Sequence, residues 1–91
     1  MAIGETTVKN KTGLHARPAA TLAKTAAKFK SKISIKNLDT GSEEANAKSV
    51  ITILTLGMSK GTKVCIAADG EDAEEAVSIL ISLIDSGFGE M

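Results

Sequence analysis

The chain has 91 residues, 43% of them hydrophobic, and its aromatic side chains are two phenylalanines. A length of this order makes one compact domain, and the core must come from Ile, Leu, Val and small Ala, which suits a thin two-layer fold. Eleven basic and eleven acidic residues cancel, which excludes a strong overall field directed at nucleic acid or a membrane surface.

The opening residues MAIGETTVKN hold no apolar signal-peptide core. No apolar run approaches the length of a membrane span, so a cytoplasmic protein without membrane insertion is expected. Ile3 to Asn10, with Thr6 and Val8 on one face, reads as a strand, and Lys11-Thr12-Gly13 as a turn. Apolar residues at Ala19, Leu22, Ala23, Ala26 and Phe29 then recur at helical spacing between Ala16 and Lys30. Pro18 is tolerated only in the first turn, which starts that helix at about Ala16. Lys32 to Lys36 alternates strictly and predicts a half-buried strand. Asp39-Thr40-Gly41 turns the chain, and Glu43 to Asn46 runs back as a short strand.

Val50 to Leu56 reads two ways. Ser49 as N-cap and Gly57 as a stop favour a short helix, whereas the β-branched content favours a strand. Gly61 to Ala68 alternates, with Val64, Ile66 and Ala68 on one face and Cys65 on the other. One cysteine forms no internal disulfide, and nothing beside it in sequence suggests a metal or an activated thiolate. Asp69 and Asp72 resemble a capping box. An amphipathic helix follows through Ala73, Ala76, Val77, Leu80, Leu83 and Ile84 to Ser86-Gly87. The order β-α-β-β-α-β-α predicts an α+β open-faced sandwich, a four-stranded, mainly antiparallel sheet with three helices on one face.

His15 is the only histidine and stands directly before the first helix. The first N–H groups of a helix lack internal partners and its dipole is positive there, so this end suits an anion. Arg17 adds a guanidinium that binds phosphate oxygens in a bidentate manner. Pro18 fixes the helix start and with it the aim of the Ala16 and Arg17 amides, and Gly13 frees the approaching loop to turn. An imidazole nucleophile, a cradle of amides and a guanidinium suffice to accept a phosphoryl group from an activated donor, with no metal or cofactor on this chain. The local residues also fit a plain polar loop histidine beside a structural arginine.

Gly13-Leu14-His15-Ala16-Arg17-Pro18-Ala19 resembles the active-site signature of the HPr family, the histidine-containing phosphocarriers of the sugar phosphotransferase system. The resemblance extends over nearly the whole chain, through Asn46-Ala47-Lys48-Ser49, Leu56-Gly57-Met58-Ser59-Lys60-Gly61 and the acidic last helix. It supports the helical reading of Val50 to Leu56. It implies that His15 accepts phosphate at Nδ1 from phosphorylated enzyme I and passes it to sugar-specific enzyme IIA components, with Ala16, Arg17 and Pro18 at the matching site positions. The chain is then a carrier in a relay and not an enzyme turning over by itself. The resemblance also implies a regulatory role for Ser49, phosphorylated by an HPr kinase/phosphorylase and so directed to a catabolite repressor. A plain N-cap serine fits the same residue.

The charges agree with an acidic partner. Residues 9 to 36 hold seven lysines and Arg17 with no carboxylate, whereas Asp69 to Glu75 is acidic. Arg17, Lys24 and Lys28 lie seven and four residues apart, on one helical stripe that steers partners or is simply solvated. Lys48 joins them as a partner-binding candidate, and Ile51 and Leu54 match apolar family positions that are partly exposed, leaving Ile53 and Leu56 for the core. A monomer is expected, since a carrier presents one face to several partners. Three alternatives stand beside the carrier: a nitrogen-related relay paralogue, a non-covalent anion-binding module and an autonomous histidine phosphatase. The last needs a general acid, and none lies close to His15 in sequence.

Overall fold

A computed structural model describes residues 1–89. The chain runs β1 (Ala2–Thr7), α1 (Ala16–Ala26), β2 (Lys32–Asn37), β3 (Ala45–Asn46), α2 (Val50–Thr55), β4 (Lys63–Asp69) and α3 (Ala73–Asp85), with a 3-10 turn at Gly87–Gly89. The strands form one sheet in the order β1-β4-β2-β3, and every pairing is antiparallel. Strand alternation divides the sheet into two faces. Ile33, Ile35, Val64, Ile66 and Ala68 are buried on one, while Lys32, Lys63 and Asp69 are exposed on the other. The helices cover the buried face: α3 packs on β1 and β4, and α1 packs against α2 and α3. Leu22, Ile35, Ile53, Ile66, Leu80 and Ile84 are fully enclosed between the layers, so aliphatic side chains supply the main apolar burial. This is the open-faced α+β sandwich expected from the alternating patterns. No helix among the described residues is long and apolar enough to cross a membrane.

Several boundaries differ from the sequence reading. β1 ends at Thr7 and not Asn10, because Val8 turns from the sheet: its N–H donates to Thr62 O at 2.9 Å and its carbonyl accepts from Gly61 N at 2.9 Å. α1 stops at Ala26 instead of continuing to Lys30. The amides of Lys28 and Phe29 drop into tighter bonds to Thr25 O and Ala26 O, both at 3.2 Å. The next two amides, Lys30 and Ser31, donate across the molecule to the Asp72 carboxylate at 2.8 and 3.0 Å. A long-range acceptor therefore replaces the helix carbonyls and ends the helix, and Lys28 lies beyond the helical stripe. The returning strand before α2 is only Ala45–Asn46, paired with Ile35 and Ser34.

The same carboxylate explains why the expected capping box is absent. Asp72 is the N-cap of α3, but its side chain makes no cap bond. It accepts from the Ser31 hydroxyl at 2.5 Å as well as from the two amides. Those bonds hold the Asp72 carboxyl below its ordinary value of 3.8, the Ser31 hydroxyl contributing most. A local cap has given way to a tie between the start of α3 and the start of β2. Leu56, expected in the core, is only half-buried against it.

Candidate functional site

The segment that delivers His15 is fastened to the rest of the molecule by its backbone. Leu14 N donates to Met58 O at 2.8 Å, in the loop that follows α2. Leu14 and Met58 are both 3% exposed, so the residue before His15 is anchored in the core. His15 then takes the N-cap position of α1 in an extended conformation, φ −87° and ψ −165°. Its carbonyl accepts the first helical bond, from Ala19 N at 2.7 Å. Its side chain makes no cap bond and is exposed, leaving the imidazole free to meet another molecule.

Ala16 and Arg17 are exposed in the first turn, and Pro18 is buried. Pro18 has no N–H, so the free donors of this turn are the amides ahead of it, at the positive end of the helix dipole. No acidic residue occupies the first turn to compete for them. Among the described residues, the Arg17 guanidinium is in no ion pair with a carboxylate. The structure therefore brings His15, the first-turn amides and Arg17 to one exposed helix end. Lys24 lies in the last turn of α1 and is exposed.

α2 packs beside α1 and carries the second candidate group. Ser49 is its N-cap: the hydroxyl oxygen accepts from Thr52 N at 3.3 Å and from the Thr52 hydroxyl at 2.8 Å. These bonds, with Gly57 after the last turn, decide for the helix over the strand. Ile53 points inward and is fully buried, whereas Ile51 is 77% and Leu54 40% exposed. Both of the α2 residues expected at the surface are therefore exposed. Lys48 is turned another way. Its Nζ donates to Phe29 O at 2.8 Å, so its ammonium braces the chain after α1. Cys65 sits half-buried on the open sheet face between Glu5 and Lys36 in register. Burial, reinforced by the Glu5 carboxylate, raises its pKa from 9.0, the direction opposite to thiolate activation.

Sequence reasoning assigned Gly13 freedom to turn and gave Asn10 no role. Gly13 has φ +68°, and a Cβ built on it would lie 2.5 Å from Met58 O and 2.8 Å from Ser59 Cα. Asn10 is completely buried. The available sign was the spacing Asn-x-x-Gly, a turn signal in which the side chain folds back on the backbone.

Together these features define a small α+β sandwich with an exposed, uncapped histidine at a helix N-terminus that has no acidic residue in its first turn. The profile of the family described as the phosphotransferase-system HPr component phosphorylation site matches residues 4–86. Phosphocarrier protein HPr of Xylella fastidiosa is 42% identical over 86 residues, covering 94% of this chain and 93% of that protein. A crystal structure of HPr-C-His from Thermoanaerobacter tengcongensis superposes with a TM-score of 0.92 at 46% identity, covering 100% of this chain and 99% of the other. The multiphosphoryl transfer protein of Haemophilus influenzae is 43% identical over 88 residues, and this chain spans 18% of its length. The chain belongs to the HPr family.

Proposed function

We propose that this chain carries phosphoryl groups on His15 in a sugar phosphotransferase relay. The lone pair of Nδ1 attacks phosphorus, the bond from phosphorus to the donor breaks, and the donor keeps that electron pair. Phosphorylated enzyme I is the donor and sugar-specific enzyme IIA components are the acceptors. Amides of the first turn of α1 and the Arg17 guanidinium hold the phosphoryl oxygens, and Pro18 keeps the turn in place. The relay runs in the cytoplasm, with the chain as a monomeric co-substrate and not as an enzyme turning over alone. The observation that carries this reading is the exposed, uncapped His15 at the start of a helix with no acid in its first turn.

Arg17 and Lys24, with the exposed Ile51 and Leu54 of α2, form the docking face: a basic stripe that attracts an acidic partner beside an apolar patch that buries against it. Lys28, exposed just past the end of α1, adds charge near this face. Lys48, held on Phe29 O, acts there through the backbone it braces. Ser49 is the regulatory position. A phosphate there sits at the start of α2, two residues from Ile51, and adds negative charge where an acidic surface must approach. Phosphorylation by an HPr kinase/phosphorylase turns the chain from enzyme I toward a catabolite repressor.

The test is intact mass after incubation with enzyme I, magnesium and phosphoenolpyruvate, before and after brief acid treatment. One added phosphoryl group that acid removes is expected, and none in His15→Ala. Undiminished labelling of His15→Ala would place the acceptor elsewhere. No labelling of the wild-type chain by an enzyme I active on another carrier would reject the sugar relay.

A further inference from the structure

The His15 imidazole has no side-chain cap bond, so the backbone leading into it sets its aim. That backbone leaves the sheet after Thr7 and bows outward, with Lys9, Lys11 and Thr12 exposed. Its two ends are fastened to the 57–62 loop, Val8 to Gly61 and Thr62, and Leu14 to Met58. Under the bow lies the Asn10 side chain, fully enclosed. Its Nδ2 donates to Gly13 O at 2.8 Å and to Thr12 Oγ1 at 3.1 Å, and its main-chain carbonyl accepts from Gly13 N at 3.1 Å.

The peptide unit joining Gly13 to Leu14 is therefore held at both ends. Its carbonyl oxygen takes the Asn10 carboxamide, and its N–H donates to Met58 O at 2.8 Å. A peptide plane held at both polar atoms loses its freedom to rotate, and the next residue in the chain is His15. A buried apolar side chain at position 10 would fill the same space without these directed bonds. The bonds to Thr12 and Gly13 serve the geometry of this bow, and neither reaches the core of the sandwich.

Resting on the carrier reading above, we propose that Asn10 is a positioning residue for phosphoryl transfer: through the Gly13–Leu14 peptide it sets the direction of His15 at the start of α1. In-line attack on phosphorus is sensitive to placement, and an error of about 1 Å costs up to about 100-fold in rate. The Asn10 bonds to Thr12 and Gly13 fall in the segment ahead of α1, so loss of the clamp is expected to act on the transfer step and not on partner capture.

The experiment uses the full chain as the substrate of enzyme I with phosphoenolpyruvate. Asn10→Ala removes the side-chain bonds to Gly13 O and Thr12 Oγ1. Asn10→Asp keeps the shape but turns an acceptor toward Gly13 O. In variants shown to be folded by circular dichroism, kcat is expected to fall about 10- to 100-fold with KM within about twofold of wild type. Unchanged kcat, or a change confined to KM, overturns the proposal. A second measurement needs no variant: by NMR of the unsubstituted protein, the Asn10 carboxamide and the Leu14 amide are expected to exchange slowly with solvent. Exchange of the Asn10 carboxamide at the rate of a free side chain overturns the clamp whether or not the variants fold. Failure of enzyme I to label the wild-type chain is a separate result and rejects the carrier reading itself.

Discussion

Gly13→Ala separates two costs that glycine substitutions usually mix. At φ +68° a Cβ meets its own backbone, and at this position it would also lie 2.5 Å from Met58 O and 2.8 Å from Ser59 Cα. The left-handed conformation costs about 1–2 kcal/mol, and relieving an overpacked contact costs about 1–3 kcal/mol more. The sum is about 2–5 kcal/mol, a large part of the stability of a small domain. Gly57→Ala is the matched control, since Gly57 has φ +61° and no atom within 4 Å of the added carbon. It bears the first cost alone. With a urea slope of about 1 kcal/mol/M for a chain of this size, Gly13→Ala should melt at a midpoint roughly 1 M or more below Gly57→Ala. Urea titration followed by circular dichroism reads both. Coincident midpoints would show that the 57–62 loop does not press on the segment before His15, and the close approach argued above would be wrong.

Two carboxylates with lowered pKa contribute to the acid limb of stability. Asp72 is held low by the Ser31 hydroxyl and the Lys30 and Ser31 amides, and Asp85 by Lys9 at 2.7 Å and the Thr6 hydroxyl. Because the folded values lie below the ordinary 3.8, their contribution is complete above that pH and is lost as pH falls through the lower folded values. Asp72→Asn with Asp85→Asn should flatten stability below about pH 4, and a chemical melt series retaining the wild-type slope would contradict this. Ile53→Ala, at a fully buried position, should cost about 2–5 kcal/mol. Ile51→Ala, at a 77% exposed position, should change stability by less than about 0.5 kcal/mol while raising KM toward enzyme I; an unchanged KM would remove Ile51 from the docking face. Ser49→Ala should lose about 1 kcal/mol with the α2 cap. Ser49→Asp keeps an acceptor there and should slow acceptance from enzyme I, and wild-type kinetics in that variant would count against control by charge.

Much of this protein follows from short-range pattern. The strict alternation at Lys32–Lys36 and at Val64–Ala68 places aliphatic side chains on one sheet face, whatever the rest of the chain does. Pro18 confines the start of α1 to the residues just after His15, since only the first turn tolerates a missing amide. The Gly13–Ala19 signature, with the lone histidine, was enough to single out the candidate site. What sequence left open was decided by partners far along the chain. Helix or strand at Val50–Thr55 depended on whether Ile53 finds a core built by other elements, α1 among them. The end of α1 was decided by Asp72, more than forty residues away in sequence, and the same diversion removed the capping box that local spacing predicted. The aim of His15 rests on Asn10 and on a carbonyl of Met58. A main-chain acceptor carries no side-chain identity, so its position comes only from folding, and the reach between distant segments is a property of the packed sandwich and not of any window of residues.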